Sequence, residues 1–255
     1  MNIKNQCFMQ QIKSSKIFTQ PKMLFMQGGT AAGKSHALKK AKNVVPRNAV
    51  TIDADDIKGQ LPEYQQMMGA RHPETLPGGK VIQVPDAPDR YAAAAVHEES
   101  SMLAKHIQRL AAAARMNIVV DGTGDSVIAK RDASGNITEH SKFAKKLIAA
   151  RQDGYEPHVF GVNAPTDVAV RSATSRARKT GRWVPEPEIR KIHRTVSANL
   201  PEIQSLIADG TVKHAEFWDR SSGEMRKIAS TKGNRLVIHD QKAWQAHLDK
   251  AKETA

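Results

Sequence analysis

The stretch that decides the fold is residues 23–41, which read MLFMQGGTAAGKSHALKKA. The four apolar residues at its start predict a buried strand, and the residues after the glycines fit a helix. Between strand and helix, residues 28–35 match the pattern G-x-x-x-x-G-K-[ST], which is the phosphate-binding P-loop. The sequence therefore predicts a site for the phosphates of a nucleotide at this turn.

The residue types of this loop suit an anion. Glycines let the backbone wrap closely around phosphate oxygens, and backbone N–H groups and the positive end of the following helix face the charge. We expect Lys34 to reach the β- and γ-phosphates of ATP and Ser35 to bind the Mg²⁺ that bridges them. The predicted ATP-binding residues are Gly28, Gly29, Thr30, Ala31, Ala32, Gly33, Lys34, Ser35 and His36. The motif alone does not say what happens to the phosphate.

Further apolar runs predict the rest of a sheet. They lie at residues 49–52, 117–120, 158–162 and 236–239, with helical patterns between most of them. This alternation predicts a three-layer α/β/α P-loop NTPase fold with a mostly parallel central sheet. We expect residues 1–20 to form an N-terminal arm and residues 21–255 a single P-loop kinase domain. Two segments, 71–89 and 126–141, carry Pro, Gly or Asn turn signals and are predicted to be surface loop insertions.

Composition narrows the class of protein. The single cysteine excludes an intrachain disulfide, and no apolar run is long enough for a membrane span, so we expect a cytoplasmic protein. The net charge of +13 favours polyanionic partners such as nucleotides, sugar phosphates, nucleic acid or acidic proteins. Basic residues that only solvate the surface explain this charge equally well.

Carboxylates follow two of the predicted strands. Asp53, Asp55 and Asp56 come after one strand, and Asp121 begins the segment DGTG after another. Ligands of open α/β sheets bind at this edge, where a carboxylate can accept a proton or hold Mg²⁺. We assign the general base to Asp55, and magnesium or acceptor binding to Asp121. A helix cap remains open for Asp53 or Asp56, as does a turn-forming role for Asp121.

A basic helix is predicted over residues 167–179. Arginines from such a segment can neutralise a phosphate in transfer, although cations at a helix carboxyl end also complement the helix dipole. The candidates are Arg171, Arg176, Arg178 and, just beyond the helix, Arg182. His193 on the next predicted helix is interpreted as structural or acceptor-contacting. Two other classes of protein are excluded. The chain lacks the Asn-Lys-x-Asp segment of regulatory GTPases, and it lacks the second histidine of the zinc-protease motif H-E-x-x-H.

Together these motifs resemble the zeta toxin family of P-loop kinases. The resemblance rests on GGTAAGKS, on the strand that ends in IDAD, on HEESS, on VVDGTG, and on the order of Arg176, GRWVP and His193, and it covers about residues 22–220. It implies ATP-dependent phosphorylation of a nucleotide-sugar, UDP-N-acetylglucosamine. Toxin activity and a neutralising antitoxin are traits of that family.

The resemblance also implies roles for individual residues. Asp55 would be the base, Lys34 and Ser35 would hold phosphates and Mg²⁺, and Arg176 and Arg182 would neutralise the transferring phosphate. The implied acceptor-binding residues are Asp121, Thr123, His97 and Glu98. Asp121 stands where a glutamate is common in the family, which places the acceptor in question. The alternative function is an ATP-dependent nucleic-acid-binding protein or a polynucleotide end kinase, to which the basic charge points.

Overall fold

The computed structural model describes residues 19–41, 43–69, 71–75, 79, 81–85, 92–124, 128–180 and 183–253. Within these ranges the strands are β1 (Lys22–Gln27), β2 (Val50–Asp53), β3 (Arg71–Thr75), β4 (Val81–Pro85), β5 (Ile118–Asp121), β6 (Lys130–Arg131), β7 (Ile137–Glu139), β8 (Glu156–Asn163), β9 (His214–Asp219), β10 (Arg226–Lys232) and β11 (Arg235–Ile238). The helices are α1 (Lys34–Lys40), α2 (Ala54–Lys58), α3 (Pro62–Gly69), α4 (Ala92–Ala95), α5 (His97–Ala113), α6 (Lys142–Gln152), α7 (Thr166–Thr180), α8 (Glu186–Ala198), α9 (Leu200–Ala208) and α10 (Gln241–Asp249), and a 3₁₀ turn (Lys250–Lys252) follows α10.

The central sheet has the strand order β11-β10-β9-β8-β1-β5-β2. Strand β1 pairs in parallel with β5 and β8, β5 pairs in parallel with β2, and β8 pairs in parallel with β9. The β9–β10 and β10–β11 pairs are antiparallel. The predicted mostly parallel sheet is therefore confirmed, and its parallel strands all end at one edge.

Alternate residues of β1 belong to different cores. Met23 and Phe25 are buried in one apolar cluster, whereas Leu24 and Met26 are buried in another. A strand that buries successive side chains must be covered on both faces, which is the arrangement of a parallel sheet between two helical layers. The three-layer α/β/α architecture follows from these two cores.

The structure corrects the loop predictions. Within residues 71–89, β3 and β4 pair as an antiparallel hairpin, because the β-branched run in β4 supports a strand that the flanking Pro and Gly residues concealed. Within residues 126–141, β6 and β7 form a short, irregular hairpin. Its tip is the predicted turn, where Asp132 Oδ1 accepts hydrogen bonds from the backbone N–H groups of Ser134 and Asn136, both at 2.9 Å.

The carboxyl-terminal part of the chain extends the sheet. Strands β9 and β10 were not predicted, since short polar or charged stretches bound their apolar residues and a β-bulge interrupts their pairing. Strand β11 lies where the sequence predicts an apolar strand, at residues 236–239. No helix among the described residues combines the length and the apolar character that a membrane span requires. The predicted N-terminal arm lies almost wholly outside the described residues.

Candidate active site

The P-loop connects β1 to α1 at the carboxyl edge of the sheet. Gly33 has φ 96°, a left-handed conformation that favours glycine, and precedes the first residue of α1. A Cβ atom on Gly28 would lie 2.6 Å from the Val162 carbonyl oxygen, so this position has no room for a side chain. Lys34 Nζ donates to the Gly28 carbonyl oxygen at 3.2 Å. The loop is therefore closely packed on the end of β8 and curls around its own lysine.

Two contacts from other elements hold the loop backbone. The Gly28 N–H donates to the Thr123 carbonyl oxygen at 2.8 Å, which ties the loop to the segment after β5. His193 Nε2, on α8, lies 3.0 Å from the Thr30 carbonyl oxygen. The same imidazole would come within 2.3 Å of a Cβ atom on Gly29, so the glycine is needed for the ring to approach. His193, which the sequence left as structural or acceptor-contacting, thus contacts the P-loop itself.

Lys34 lies at the electrostatic centre of the site. Burial lowers the pKa of its ammonium group, and the charges of Asp121, Asp53 and Asp55 oppose that shift. The charge of Arg176 acts in the same direction as burial. The fold thus brings together the predicted phosphate-binding lysine, three of the four strand-end carboxylates and one of the candidate arginines.

Two of these carboxylates lie side by side on neighbouring strands. Asp53 ends β2 and Asp121 ends β5, and the two residues are partners in the parallel register. The pKa of each carboxyl is raised, chiefly by burial and further by the neighbouring acids, although Lys34 lowers the pKa of Asp121. Bringing a cation to this pair would relieve part of that cost.

The roles of the three acids after β2 separate in the structure. Asp53 Oδ1 accepts a hydrogen bond from the Asp55 N–H at 2.8 Å and so caps α2, which is one of the alternatives left open by the sequence. Asp55 is in the first turn of α2, where it forms an ion pair with Lys58 at 3.1 Å and keeps a side-chain exposure of 44%. Asp56 is exposed. The cap therefore fixes the start of α2, and the Asp55 carboxylate remains partly exposed to solvent.

The candidate arginines are distinguished by their positions on α7. Arg171 is exposed, whereas Arg176 is partly buried and close enough to influence Lys34. The side chain of Arg178 and all of Arg182 lie outside the described residues. Of the arginines whose side chains are described on this helix, Arg176 is the one whose charge acts on Lys34.

The remaining predicted site residues lie on α1, on the segment after β5 and on α5. Ser35 and His36 are exposed in the first turn of α1. Thr123 is partly buried, and its carbonyl oxygen is the one that holds Gly28. His97 and Glu98 are exposed in the first turn of α5, the helix that packs against α2 and its Asp55.

Sequence reasoning missed residues that the carboxyl-terminal elements bring to the P-loop. Arg220 follows β9, and its Cδ atom lies 3.8 Å from the place where a Gly33 Cβ would be. Lys250, in the 3₁₀ turn, is buried against His193. Recognition of β9 would have revealed Arg220, since residues that follow parallel strands lie at the ligand edge. Nothing local in the sequence marks Lys250.

Comparison with known proteins gives a family. The family model described as Zeta toxin matches residues 7–230 and thus also covers most of the predicted N-terminal arm. A search of curated protein sequences finds no match.

Solved structures support the fold. The complex of AvrRxo1-ORF1 with AvrRxo1-ORF2 with sulphate ions superposes with a TM-score of 0.68 at 18% identity, over 98% of this chain and 73% of that one. The same pair of proteins with ATP gives 0.68 at 17% identity, again over 98% and 73%. A structure from the PezAT chromosomal toxin-antitoxin system of Streptococcus pneumoniae gives 0.59 at 14% identity, over 97% of this chain and 92% of that one.

Three findings point to the same family. They are the P-loop on a mostly parallel sheet, the acids and the arginine around Lys34, and the family match over most of the chain. The chain belongs to the zeta toxin family and is a P-loop kinase.

Proposed function

We propose that the protein transfers the γ-phosphate of ATP to a hydroxyl group of a small acceptor, with a nucleotide-sugar such as UDP-N-acetylglucosamine as the first candidate. The observation that carries the proposal is the set of charged groups around Lys34. Asp53, Asp55 and Asp121 raise the pKa of its ammonium group, and Arg176 lowers that pKa. Cations for the donor and carboxylates for the acceptor are the two halves that phosphoryl transfer to a hydroxyl needs.

The donor half is the P-loop. Lys34 would contact the β- and γ-phosphates, and Arg176 would neutralise charge on the transferring group, with Arg182 as a second candidate. ATP is the proposed donor because of the P-loop, and the AvrRxo1-ORF1:-ORF2 structure with ATP provides a precedent on the same fold.

The acceptor half of the proposed site is its acidic side, which consists of Asp53, Asp55 and Asp121. Asp55 would take the proton from the acceptor hydroxyl as that oxygen forms a bond to the γ-phosphorus. The bond from the γ-phosphorus to the bridging oxygen would break, and ADP would leave with the negative charge. Asp121, Thr123, His97 and Glu98 would bind and orient the acceptor, since they lie on the segment after β5 and on the helix packed against α2.

The residues present suit Mg²⁺ bound together with nucleotide phosphates. Oxygen donors are available in the Ser35 hydroxyl and in the Asp121 carboxylate, whose pKa is raised by burial. No group of three or more His, Cys, Asp or Glu side chains forms a metal cage in the described part of the chain, which fits an ion that phosphates and water mostly coordinate. When bound, Mg²⁺ would neutralise charge on the phosphates.

A panel of acceptors tests the proposal. Purified protein is incubated with ATP, Mg²⁺ and separately with UDP-sugars, nucleosides, aminoglycosides and a 5′-hydroxyl oligonucleotide, and products are identified by mass spectrometry and ³¹P NMR. The expected product is a phosphate monoester on a UDP-sugar hydroxyl. Lys34→Met, prepared in the same way, controls for contaminating kinases. Phosphorylation of the oligonucleotide alone would favour the polynucleotide end kinase, and no product with any acceptor would contradict a small-molecule kinase.

We also propose that a neutralising protein partner exists. Its basis is the family and the PezAT toxin-antitoxin system, which has a structure of the same fold. Expression of the wild-type chain in a bacterial host should arrest growth, and expression of Lys34→Met should not. Equal growth of the two strains at equal protein levels would contradict a toxic activity that needs an antitoxin.

A further inference from the structure

The carboxyl-terminal segment reaches the back of the P-loop. Helix α10 and the 3₁₀ turn pack against α8. At the end of this segment, Glu253 accepts a hydrogen bond from the Thr166 hydroxyl at 3.0 Å, which fixes it to the start of α7. Lys250 therefore projects into the fold from a segment that is anchored on both sides.

Lys250 is buried, with a relative exposure of 7%, and its amine has two acceptors. Nζ donates to the Ala164 carbonyl oxygen, just beyond β8, at 2.9 Å. It also lies 3.3 Å from His193 Nδ1. Because an ammonium group can only donate, His193 Nδ1 must accept this hydrogen bond.

The protonation of the imidazole follows from this contact. With Nδ1 as the acceptor, the ring proton of a neutral His193 lies on Nε2, which faces the Thr30 carbonyl oxygen at 3.0 Å. A continuous path of hydrogen bonds therefore runs from the Lys250 amine through His193 to the P-loop backbone. The imidazole lies against Gly29, so a change in its orientation would displace the loop.

The electrostatics of the cluster agree with this geometry. Burial and the charge of Lys250 lower the pKa of His193 to about 4, so the imidazole is neutral at physiological pH. Burial lowers the pKa of Lys250 to about 8, and the charges of Glu253 and Asp219 oppose that shift. His247 is buried beside them with its pKa lowered well below the usual value. Lys250 and the two histidines are thus packed together at a desolvation cost.

An apolar side chain of the same length would avoid that cost. The amine adds direction, since it is a donor that selects one of the two tautomers of His193 and one orientation of its ring. The group that this contact orients is the Thr30 peptide within the P-loop, which is 163 positions from His193 in the sequence but in contact with it in space.

We propose that Lys250 is a positioning residue for nucleotide binding, which acts through His193 to hold the P-loop in the conformation that ATP requires. The inference rests on the proposed binding of ATP at that loop. Lys250 does not touch the reacting groups, and it supports them from behind the loop.

Two matched substitutions test the role of the amine. Lys250→Met removes it with little change in length, whereas Lys252→Met changes an exposed lysine of the same 3₁₀ turn that pairs only with Asp249 among the residues described. Isothermal titration with Mg²⁺ and the non-hydrolysable analogue AMPPNP should show affinity about tenfold or more weaker in Lys250→Met and unchanged in Lys252→Met. In steady-state assays, KM for ATP should rise by the same factor, with kcat and KM for the acceptor much less affected.

Equal AMPPNP affinity in wild type and Lys250→Met would overturn the inference and leave the proposed function intact. Failure of the wild-type protein itself to bind AMPPNP would overturn both. Thermal unfolding of each variant separates a general loss of fold from a change at the loop, because a purely structural lysine would lower the unfolding temperature without altering the affinity of the folded protein.

A measurement on the wild type makes the test independent of any variant's folding. The ¹⁵N chemical shifts of His193, assigned by comparison with His193→Gln, distinguish the Nε2–H tautomer from the Nδ1–H tautomer and from imidazolium. A neutral Nε2–H ring near pH 7 is the expected result. The Nδ1–H tautomer or a charged ring would overturn the proposed contact with Lys250.

Discussion

The P-loop and the acidic side of the site, which consists of Asp53, Asp55 and Asp121, are built differently. The P-loop is held by buried contacts from separate elements, through Thr123 after β5, His193 on α8 and the close approach of Val162 in β8. The acidic side relies on strand register and one helix cap, and its carboxylates keep an unfavourable electrostatic environment. We infer that the fold itself holds the P-loop in place, whereas the proposed acceptor side is completed only when a cation and the acceptor bind.

The largest expected effect is on the donor side. Lys34→Met removes the cation to which all three acids and Arg176 couple, and kcat/KM should fall by about 10³-fold. Lys39→Met, an exposed lysine in the last turn of the same helix, should have no such effect. Steady-state kinetics with varied ATP measure both variants. Similar losses in the two would mean that the charge of α1 as a whole matters and that Lys34 has no special position.

The next effect concerns Arg176, whose charge acts on Lys34. Arg176→Gln should lower kcat by about 10²-fold, because a positive charge at the transferring phosphate is lost. Arg171→Gln lies on the same helix but is exposed, and it should retain nearly full activity. Single-turnover phosphoryl transfer compares the two. A larger defect in Arg171→Gln would mean that a different face of α7 neutralises the transferring phosphate.

A smaller effect is expected for Asp121, where a substitution should raise the stability of the protein and lower its activity. Burial raises the pKa of Asp121, so its ionisation costs stability as pH rises through the pKa of the folded protein. At pH 7, Asp121→Asn should therefore raise the unfolding temperature of the ligand-free protein by roughly 2–4 °C, the response to about 1 kcal/mol in a chain of this size, and yet lower activity. The stabilisation should disappear below the ordinary pKa of an aspartate.

Asp132→Asn is the control for that experiment. Backbone N–H groups in the β6–β7 turn lower the pKa of Asp132, so this substitution should not stabilise the protein. Differential scanning calorimetry between pH 3 and pH 8 measures both variants. If Asp121→Asn is less stable than wild type at pH 7, the acidic pair is not under the electrostatic cost inferred here.

The smallest expected effect lies behind the P-loop. Burial lowers the pKa of His247, and neither ring nitrogen has a hydrogen-bond partner among the described residues. The unfolded chain binds a proton at this histidine below about pH 6.5 while the folded protein does not, so stability is lost as pH falls through that value. His247→Leu should flatten this decline without loss at pH 7, and His106→Leu, on exposed α5, should leave it unchanged. Chemical denaturation at pH 5 and pH 7 provides the test, and an equally steep decline in His247→Leu would show that His247 is not its source.

Local patterns predicted the sites that local structure creates. The sequence predicted the P-loop with its strand and helix, the strand ends at Asp53 and Asp121, and the two helices after β8. Each of these is marked by hydrophobic periodicity or by a glycine that the local backbone conformation requires. The sheet edge then placed the acids near Lys34 by topology alone.

What could not be predicted depends on contacts between distant parts of the chain. The hairpin β3–β4 was hidden among Pro and Gly residues, and β9 and β10 were hidden by their polar ends. The contact of Lys250 with His193 joins residues 57 positions apart, and no pattern near either residue indicates it. Which acid caps α2 and which remains available likewise required the geometry of Asp53.

The most direct test of the central claim is to separate nucleotide binding from phosphoryl transfer at Asp55. AMPPNP affinity and single-turnover transfer to the acceptor found in the panel are measured for Asp55→Asn and for the matched, exposed Asp56→Asn. The predicted result is nearly wild-type affinity in both variants, with transfer slowed by about 10²–10⁴-fold only in Asp55→Asn. Normal transfer by Asp55→Asn would contradict the assignment of the base and, with it, the division of the site into a donor loop and an acidic acceptor side.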